Sequence, residues 1–174
     1  MWIVIDGYNV IRRSALFAPL DRRDLEEGRK ALLGALSAYR RRKGHRITVI
    51  FDGWEQGGLR EQTTQVAGVR VVFSRRGERA DQAILRQVEK AAAGSVVVTS
   101  DRALGQEVGR TGAVVVSAEE FEERLERALQ EGSIEGSRKD DDLTGDPSGP
   151  QKMKGAARRP SKRARRRSTA LERL

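Results

Sequence analysis

The sequence predicts an α/β sandwich in which helices wrap a central parallel sheet of about five strands. Short apolar runs rich in β-branched residues alternate with segments whose apolar residues recur at helical spacing, as in a parallel sheet with crossover helices. The length of 174 residues suits one folded domain with a tail. The chain shows no internal repeat.

The first half of the chain contributes three predicted strands and one long helix. The run Trp2 to Ile5 is the first strand, because it is short, apolar and rich in isoleucine and valine. Leucines on one face predict a helix from about Asp24 to Arg42, and Lys43-Gly44 is its stop signal. Two further strands follow at Ile47 to Phe51 and at Val69 to Phe73.

The second half continues the same alternation. An amphipathic segment predicts a second helix from about Glu78 to Ala93, and the strand Ser95 to Thr99 follows it. A short helix is predicted after Asp101, and Ala113 to Val116 is the last strand. The last helix of this part is predicted from about Ala118 to Gln130.

The composition changes after residue 130, where glycine, serine, proline and an acidic run, Asp140 to Asp142, replace the apolar pattern. Residues 151–168 then carry nine basic side chains and no acidic one. Such a stretch has too few apolar side chains to bury a core. We therefore predict a folded domain over residues 1–130 and a disordered linker and basic tail over residues 131–174.

The charge and the rare residue types exclude several classes of function. The net charge of +9, from 34 basic and 25 acidic residues, favours a polyanionic partner such as RNA. The chain has no cysteine and one histidine, His45, which excludes thiolate zinc sites, cysteine nucleophiles and histidine-rich metal sites. Its apolar runs are too short to span a bilayer, and its first residues do not resemble a signal peptide. We expect a cytoplasmic protein without membrane partners.

Acidic residues follow three of the predicted strands. They are Asp6, Asp52 and Asp101, and the carboxyl ends of parallel strands share one edge of the sheet. Asp81 lies in the first turn of the second helix, on its inner face, and Glu78 lies close before it. Each acid alone also suits a strand end or a helix cap. Together they would repel one another unless a hard cation were bound, so we predict a Mg²⁺ or Mn²⁺ site.

Polar, aromatic and cationic side chains near these acids are candidates for substrate binding. Amide and hydroxyl groups can bind a phosphate or a water, aromatic rings can stack a base, and guanidinium groups can hold a nucleic-acid backbone. Each such side chain also suits an ordinary role in a turn or at a solvated surface. The candidates are Asn9, Ser100, Tyr8, Trp54, Arg79 and Arg102.

The motifs of other enzymes with a similar scaffold are absent from this sequence or fit it poorly. The first strand leads into Asp6-Gly7-Tyr8-Asn9, which is neither a phosphate-binding P-loop nor a dinucleotide fingerprint, so no dinucleotide cofactor is expected. A haloacid-dehalogenase-type phosphatase would have an aspartate in place of Tyr8. A receiver domain would have a lysine ending the fifth strand, where this chain has Val116-Ser117.

Four segments of the chain contain the ends of predicted strands and the residues that follow them. They are Ile3-Val4-Ile5-Asp6-Gly7-Tyr8-Asn9-Val10-Ile11, Val49-Ile50-Phe51-Asp52-Gly53, Val71-Val72-Phe73-Ser74 with Gly77-Glu78-Arg79-Ala80-Asp81, and Val97-Val98-Thr99-Ser100-Asp101-Arg102. In this order, they resemble the motifs of the YacP-like NYN-domain proteins, a bacterial family of the PIN-like nuclease superfamily. The resemblance covers about residues 1–130 and implies a PIN-like three-layer sandwich with Mg²⁺- or Mn²⁺-dependent ribonuclease activity in RNA processing or decay.

The resemblance also implies roles for individual residues. Asp6, Asp81 and Asp101 match the metal-binding acids of the family, and Asn9, Asp52 and Glu78 are their neighbours. Where this chain has Arg79, the family often has threonine. The first functional hypothesis is therefore an endoribonuclease that acts on mRNA or rRNA, with the ribosome as a candidate partner. A non-catalytic RNA- or ribosome-binding protein that uses the basic tail is the second hypothesis, and a phosphatase is the third.

Overall fold

The computed structural model describes residues 1–53, 60–91, 94–135 and 162–174. These residues form one six-stranded sheet with helices packed on both faces. Within them, no helix is both long and apolar enough to cross a membrane. The strands are β1 (Trp2–Asp6), β2 (Arg46–Phe51), β3 (Gln62–Val66), β4 (Val69–Phe73), β5 (Ser95–Val98) and β6 (Val114–Val116). The helices are α1 (Gly7–Arg13), α2 (Ala18–Asp21), α3 (Leu25–Lys43), α4 (Ala80–Glu89), α5 (Arg102–Arg110), α6 (Ala118–Glu135) and α7 (Lys162–Arg173).

Strand β1 lies near the middle of a mainly parallel sheet with the order β3-β4-β2-β1-β5-β6. It pairs in parallel with both neighbours, so that Ile5 lies opposite Val49 of β2 and Val98 of β5. Of the described strands only β3 is antiparallel, and it pairs with β4 at the edge of the sheet. The carboxyl ends of β1, β2 and β5 therefore lie side by side.

Two hydrophobic cores join the layers, one on each face of the sheet. Because successive side chains of a strand point to opposite faces, Ile5 of β1 enters the core with α1, α3 and α6, whereas Val4 enters the core with α4 and α5. Tyr39 of α3 and Phe121 of α6 are fully buried and meet edge to face, with ring centroids 5.6 Å apart. The predicted α/β sandwich, with three layers, is confirmed.

All five predicted strands are present, each within one residue of its predicted ends. The helix predicted at 24–42 is α3, which begins and ends one residue later. The helix predicted at 78–93 is shorter, because α4 begins at Ala80, after a turn in which Gly77 has a φ of +83°. The helix predicted to end at Gln130 continues as α6 to Glu135.

The sequence pattern did not indicate β3, α1 or α2. Strand β3 is exposed along its whole length, so it has no apolar alternation to detect. It forms by pairing with β4 across a tight turn in which Ala67 and Gly68 both have positive φ, the geometry of a two-residue hairpin. Helix α1 is only seven residues long and starts directly after β1, where the Asp6 side chain caps it.

The predicted disordered tail needs a correction at its far end, where α7 packs against the domain. Ala170 and Leu174 are buried in the core that contains Tyr39, whose hydroxyl donates to the carbonyl of Leu174. Arg167 of α7 also forms an ion pair with Glu120 of α6, at 2.7 Å. The average composition of the predicted tail did not indicate this helix, because the few apolar residues of the helix lie on one face. The rest of the predicted linker, residues 136–161, lies outside the described residues.

We expect Gly7→Ala to destabilise the protein by about 1 to 3 kcal/mol, because a Cβ at this position would overlap the buried Phe51 ring. Gly34→Ala is the matched control, since Gly34 lies inside α3 with nothing within 4 Å of the added Cβ. Replacement there should stabilise the helix by up to about 1 kcal/mol. Urea unfolding of both variants measures this, and a shift of the same sign in both would contradict the close approach at Gly7.

Docking of α7 is testable with a pair of single substitutions. Ala170→Glu places a charge in the buried contact and should lower the melting temperature by roughly 4 °C or more, the equivalent of losing about 2 kcal/mol in a chain of this size. Thr169→Glu changes the neighbouring exposed position by one charge and should leave the melting temperature near that of the wild type. Equal melting temperatures for the two variants would show that α7 contributes nothing to the fold.

Candidate functional site

An open cavity of about 540 Å³ lies at the carboxyl edge of the sheet. Four aspartates from four different elements line it, together with four arginines. The structure therefore brings together acids that are far apart in the chain, and it surrounds them with cations. The lining residues are Asp6, Asp52, Asp81, Asp101, Arg12, Arg13, Arg29, Arg79, Tyr8, Asn9, Leu25 and Ala80.

Asp6 is the most buried of the four acids, with 6% of its surface exposed. It ends β1 and caps α1, where its Oδ1 accepts a hydrogen bond from the backbone N–H of Asn9 at 3.4 Å. The Thr99 hydroxyl donates to its Oδ2 at 3.1 Å. Burial raises the pKa of the Asp6 carboxyl to about 6, despite these two hydrogen bonds, and the charges of Asp81 and Asp101 raise it further.

Asp101 is connected to Asp6 through Thr99. The backbone N–H of Asp101 donates to the Thr99 hydroxyl at 3.1 Å, and this hydroxyl in turn donates to Asp6. The Asp101 side chain is exposed and caps α5, because its Oδ1 accepts from the N–H groups of Ala103 and Leu104 at 2.7 and 3.1 Å. Thr99 is thus a buried positioning residue that the sequence analysis missed.

Asp81 approaches the cavity from α4, and Asp52 approaches it from the end of β2. Both are half-buried. Burial raises the pKa of Asp81, Asp101 and Asp52 contribute to the rise, and the positive charge of Arg79 opposes it. The acids are therefore close enough to affect one another's ionisation, although they belong to three parallel strands and a helix.

Asn9 and Tyr8 also line the cavity, but their polar groups bind other parts of the protein. The Asn9 Oδ1 accepts the backbone N–H of Ser100 at 2.7 Å, which fastens the loop after β5 to α1. The Tyr8 ring meets Phe51 edge to face at 5.1 Å, and its hydroxyl accepts from Arg29 at 3.2 Å. These contacts hold the wall of the cavity in place.

Three of the cations at the cavity, Arg12, Arg13 and Arg29, were not among the candidates from the sequence. Arg12 and Arg13 come from α1, the helix that the sequence pattern did not reveal. Arg29 lies on the buried face of α3, and its guanidinium lies over the Phe73 ring at 5.7 Å. A cation on an otherwise apolar helix face was a signal that could have identified Arg29.

Three candidates within the described part of the chain, Glu78, Ser100 and Arg102, do not line the cavity. Burial by itself raises the pKa of Glu78, but hydrogen bonds from Arg86 and Arg75 outweigh it, so the pKa is lowered and the carboxylate is held by these cations. The Ser100 hydroxyl donates to Glu119 at 2.7 Å. Arg102 is exposed at the start of α5, outside the cavity lining. Trp54 lies outside the described residues.

Comparison with known proteins identifies the family to which this geometry belongs. The profile of the YacP-like NYN domain matches residues 3–162. The chain belongs to the YacP-like NYN domain family. The match extends beyond residue 130, which was the predicted end of the resemblance. Membership gives the chain a PIN-like nuclease domain, as the motifs indicated.

Individual members of the YacP-like NYN family support the assignment. The chain is 30% identical over 138 residues to the protein YacP of Bacillus subtilis (strain 168), which covers 74% of this chain and 81% of that protein. The crystal structure of Rae1 (YacP) from Bacillus subtilis matches with a TM-score of 0.66 and 26% identity over 79% of this chain and 80% of that one. A tryptophan-to-leucine mutant of Rae1 matches with a TM-score of 0.65 and 24% identity over 82% and 86% of the two chains.

PIN-like nucleases generally use divalent metals. Among the described residues, no three carboxylate or imidazole groups form a closed metal-ligand cluster. Mg²⁺ does not require one, because it commonly binds one or two carboxylates and keeps several waters. Asp6, Asp52, Asp81 and Asp101 line the same open cavity, and the charges of Asp81 and Asp101 add to the raised pKa of Asp6. This donor set fits an open site for a hard cation.

The raised pKa of Asp6 predicts a specific pH dependence of stability without metal. Its folded value of about 6 lies above the ordinary value of 3.8, so the folded protein binds more protons between these values. This contribution destabilises the fold as the pH rises from about 4 to about 6. In EDTA, Asp6→Asn should therefore gain stability relative to the wild type across this range, by about 2 to 3 kcal/mol at pH 7. Urea unfolding at several pH values measures the difference, and a difference that stays constant with pH would contradict the assignment.

Proposed function

We propose that this protein is a divalent-metal-dependent endoribonuclease that hydrolyses phosphodiester bonds in RNA. The observation that supports this most is the meeting of four aspartates with four arginines around one cavity in a member of a PIN-like nuclease family. Carboxylates alone would repel a phosphate backbone, so a surface made only for binding RNA would gain nothing from them. They become useful once a cation lies between them and the phosphate.

In this proposal, Asp6, Asp81 and Asp101 hold Mg²⁺ or Mn²⁺, with Asp52 beside them. When bound, such an ion stabilises negative charge on the phosphate and lowers the pKa of a coordinated water. Thr99 holds Asp6 and Asp101 in place, because its hydroxyl donates to Asp6 and accepts from the backbone N–H of Asp101. The chain therefore uses carboxylates and a cation where other ribonucleases use histidine.

The arginines at the cavity are proposed to bind the phosphates of the substrate. Arg79 follows the turn before α4, and its charge acts on Asp81. Arg12 and Arg13 are exposed on α1 at the opposite wall. Guanidinium groups suit this role because they form paired, charge-assisted hydrogen bonds to phosphate oxygens. Asn9 is proposed to position the loop after β5, since its amide oxygen accepts the Ser100 N–H.

RNA, as mRNA or rRNA, is the proposed substrate, in processing or decay. The ribosome is a proposed partner, because a chain with a net charge of +9 is attracted to a large RNA surface. The exposed Arg165 and Arg166 of α7 favour the second hypothesis, a non-catalytic RNA- or ribosome-binding protein, because these cations lie outside the acid cavity. That hypothesis predicts RNA binding without metal-dependent cleavage.

We expect Asp81→Asn to lower RNA cleavage by at least about 100-fold, since even substitutions behind the ligands of a metal site commonly cost 10- to 100-fold. Glu107→Gln is the matched control, because Glu107 raises the pKa of Asp81 through its charge but does not line the cavity. Its cleavage rate should stay within a few-fold of the wild type. The assay measures cleavage of a circular RNA, which has no ends, in Mg²⁺, in Mn²⁺ and in EDTA.

Near-wild-type cleavage by Asp81→Asn at matched metal concentration would overturn the role given to this residue. Binding of the circular RNA without cleavage in either metal would instead favour the non-catalytic hypothesis. Cleavage of linear RNA alone would indicate an exonuclease.

A further inference from the structure

A second cavity, of about 840 Å³, lies at the opposite end of the sheet from the aspartates. It lies between β3, β4, β2 and the exposed side of α4, and we call it the basic groove. Five cations line it, and Glu61 is its only acidic residue in the described part of the chain. The cations are Arg40, Arg46, Arg70, Arg86 and Lys90.

The alternation of strand residues explains why this part of the sheet is polar. Thr48 of β2 pairs with Arg70 of β4, which pairs with Gln65 of β3, so these three side chains form one row on the same face. Two residues further along β2 and β4, the same face carries Ile50 and Val72, which belong to the core under α4. The face is thus apolar towards the aspartates and polar towards the basic groove.

Several groups in the basic groove are held in place. The Arg46 guanidinium lies over the Trp2 ring at 4.5 Å, and the Trp2 Nε1–H donates to the Thr48 hydroxyl at 3.0 Å. Arg40 packs against the hairpin turn at Gly68, where a Cβ would overlap its guanidinium. Such contacts reduce the entropy that these cations would lose on binding a ligand.

Among the described residues, the charges that line the basic groove are not balanced. Arg86 forms ion pairs with Glu61 and Glu78, which neutralise it. The other four cations have no acidic counterpart in the described lining of the groove. Arg46, Arg70 and Lys90 are exposed, so an anionic chain can reach them from solvent.

We propose that the basic groove binds the phosphate backbone of a single-stranded part of the RNA substrate, outside the segment held at the aspartates. Four cations with adjacent threonine, glutamine and indole groups match a backbone that carries one negative charge per nucleotide. Strand β1 runs from Trp2 in the groove to Asp6 in the cavity, a distance of about 13 Å at 3.3 Å per residue. An RNA of several nucleotides can therefore contact both places. This inference rests on the proposed function for the identity of the ligand.

The test compares two double variants that remove the same charge. Arg46→Gln with Arg70→Gln removes two cations of the basic groove, and Arg110→Gln with Arg127→Gln removes two exposed cations outside both cavities. Each is combined with Asp81→Asn and titrated in EDTA with labelled oligo(U) of about 4 and about 16 nucleotides, the usual range of single-strand site sizes. Affinity is measured by fluorescence anisotropy at several salt concentrations.

For the longer oligo(U), the groove variant should bind more weakly than the control variant. A plot of its log affinity against log salt should be less steep by about 1.4, since each lost phosphate contact removes about 0.7 from the steepness for a single strand. The shorter oligo(U) covers fewer of these cations, so it should lose less affinity in the groove variant than the longer one does. Equal slopes in the two double variants, or no binding of the longer oligo(U) by the parent Asp81→Asn protein, would overturn the proposal.

Failure of the groove is distinguishable from failure of the proposed function. Cleavage is measured separately with the wild-type protein, which keeps Asp81, in Mg²⁺ or Mn²⁺. A lower salt slope in the groove variant without any cleavage by the wild type would support the groove and contradict the ribonuclease. Cleavage by the wild type with an unchanged slope in the groove variant would contradict the groove alone.

Discussion

Strands β1 and β5 end side by side, and this adjacency forces two carboxylates, Asp6 and Asp101, towards the same space. Like charges in a partly buried site repel, so the arrangement needs compensation. The protein supplies it with hydrogen bonds. Asp6 accepts from a backbone N–H of α1 and from Thr99, while Asp101 accepts from two N–H groups of α5. The bonds from the backbone N–H groups also cap the two helices, so the fold and the acid cluster depend on each other.

Three of the four cations of the cavity come from other elements than the acids do, whereas Arg79 is the N-cap residue of the helix that carries Asp81. The acids stand at strand ends and in the first turn of α4, whereas Arg12 and Arg13 belong to α1 and Arg29 to α3. Arg29 is buried and touches both Tyr8 and Phe73, so it is part of the packing as well as of the cavity wall. Helices on one face thus place positive charge around an anionic centre, which suits a ligand that is itself a polyanion.

One edge strand of the sheet is covered by a helix and the other is exposed. At one edge, α7 packs on the β6 side and contributes Ala170 and Leu174 to the core. At the other edge, β3 is exposed on all its residues, and its polar side chains continue into the basic groove. An exposed edge strand risks pairing with another chain, and polar residues reduce that risk. In this protein the same polar residues lie beside the exposed cations of the basic groove.

The sequence by itself determined the parallel strands, the long helices α3 and α6, and the elements that carry Asp6, Asp52, Asp81 and Asp101. These follow from local apolar patterns and from the rule that parallel strands end at one edge. Only the tertiary structure decided that Glu78 turns to Arg86, that Thr99 joins two acids, and that α7 docks. A side chain's choice among partners, and the placement of a helix with few apolar residues, depend on contacts between segments far apart in the chain. Those contacts cannot be predicted from local sequence pattern and composition.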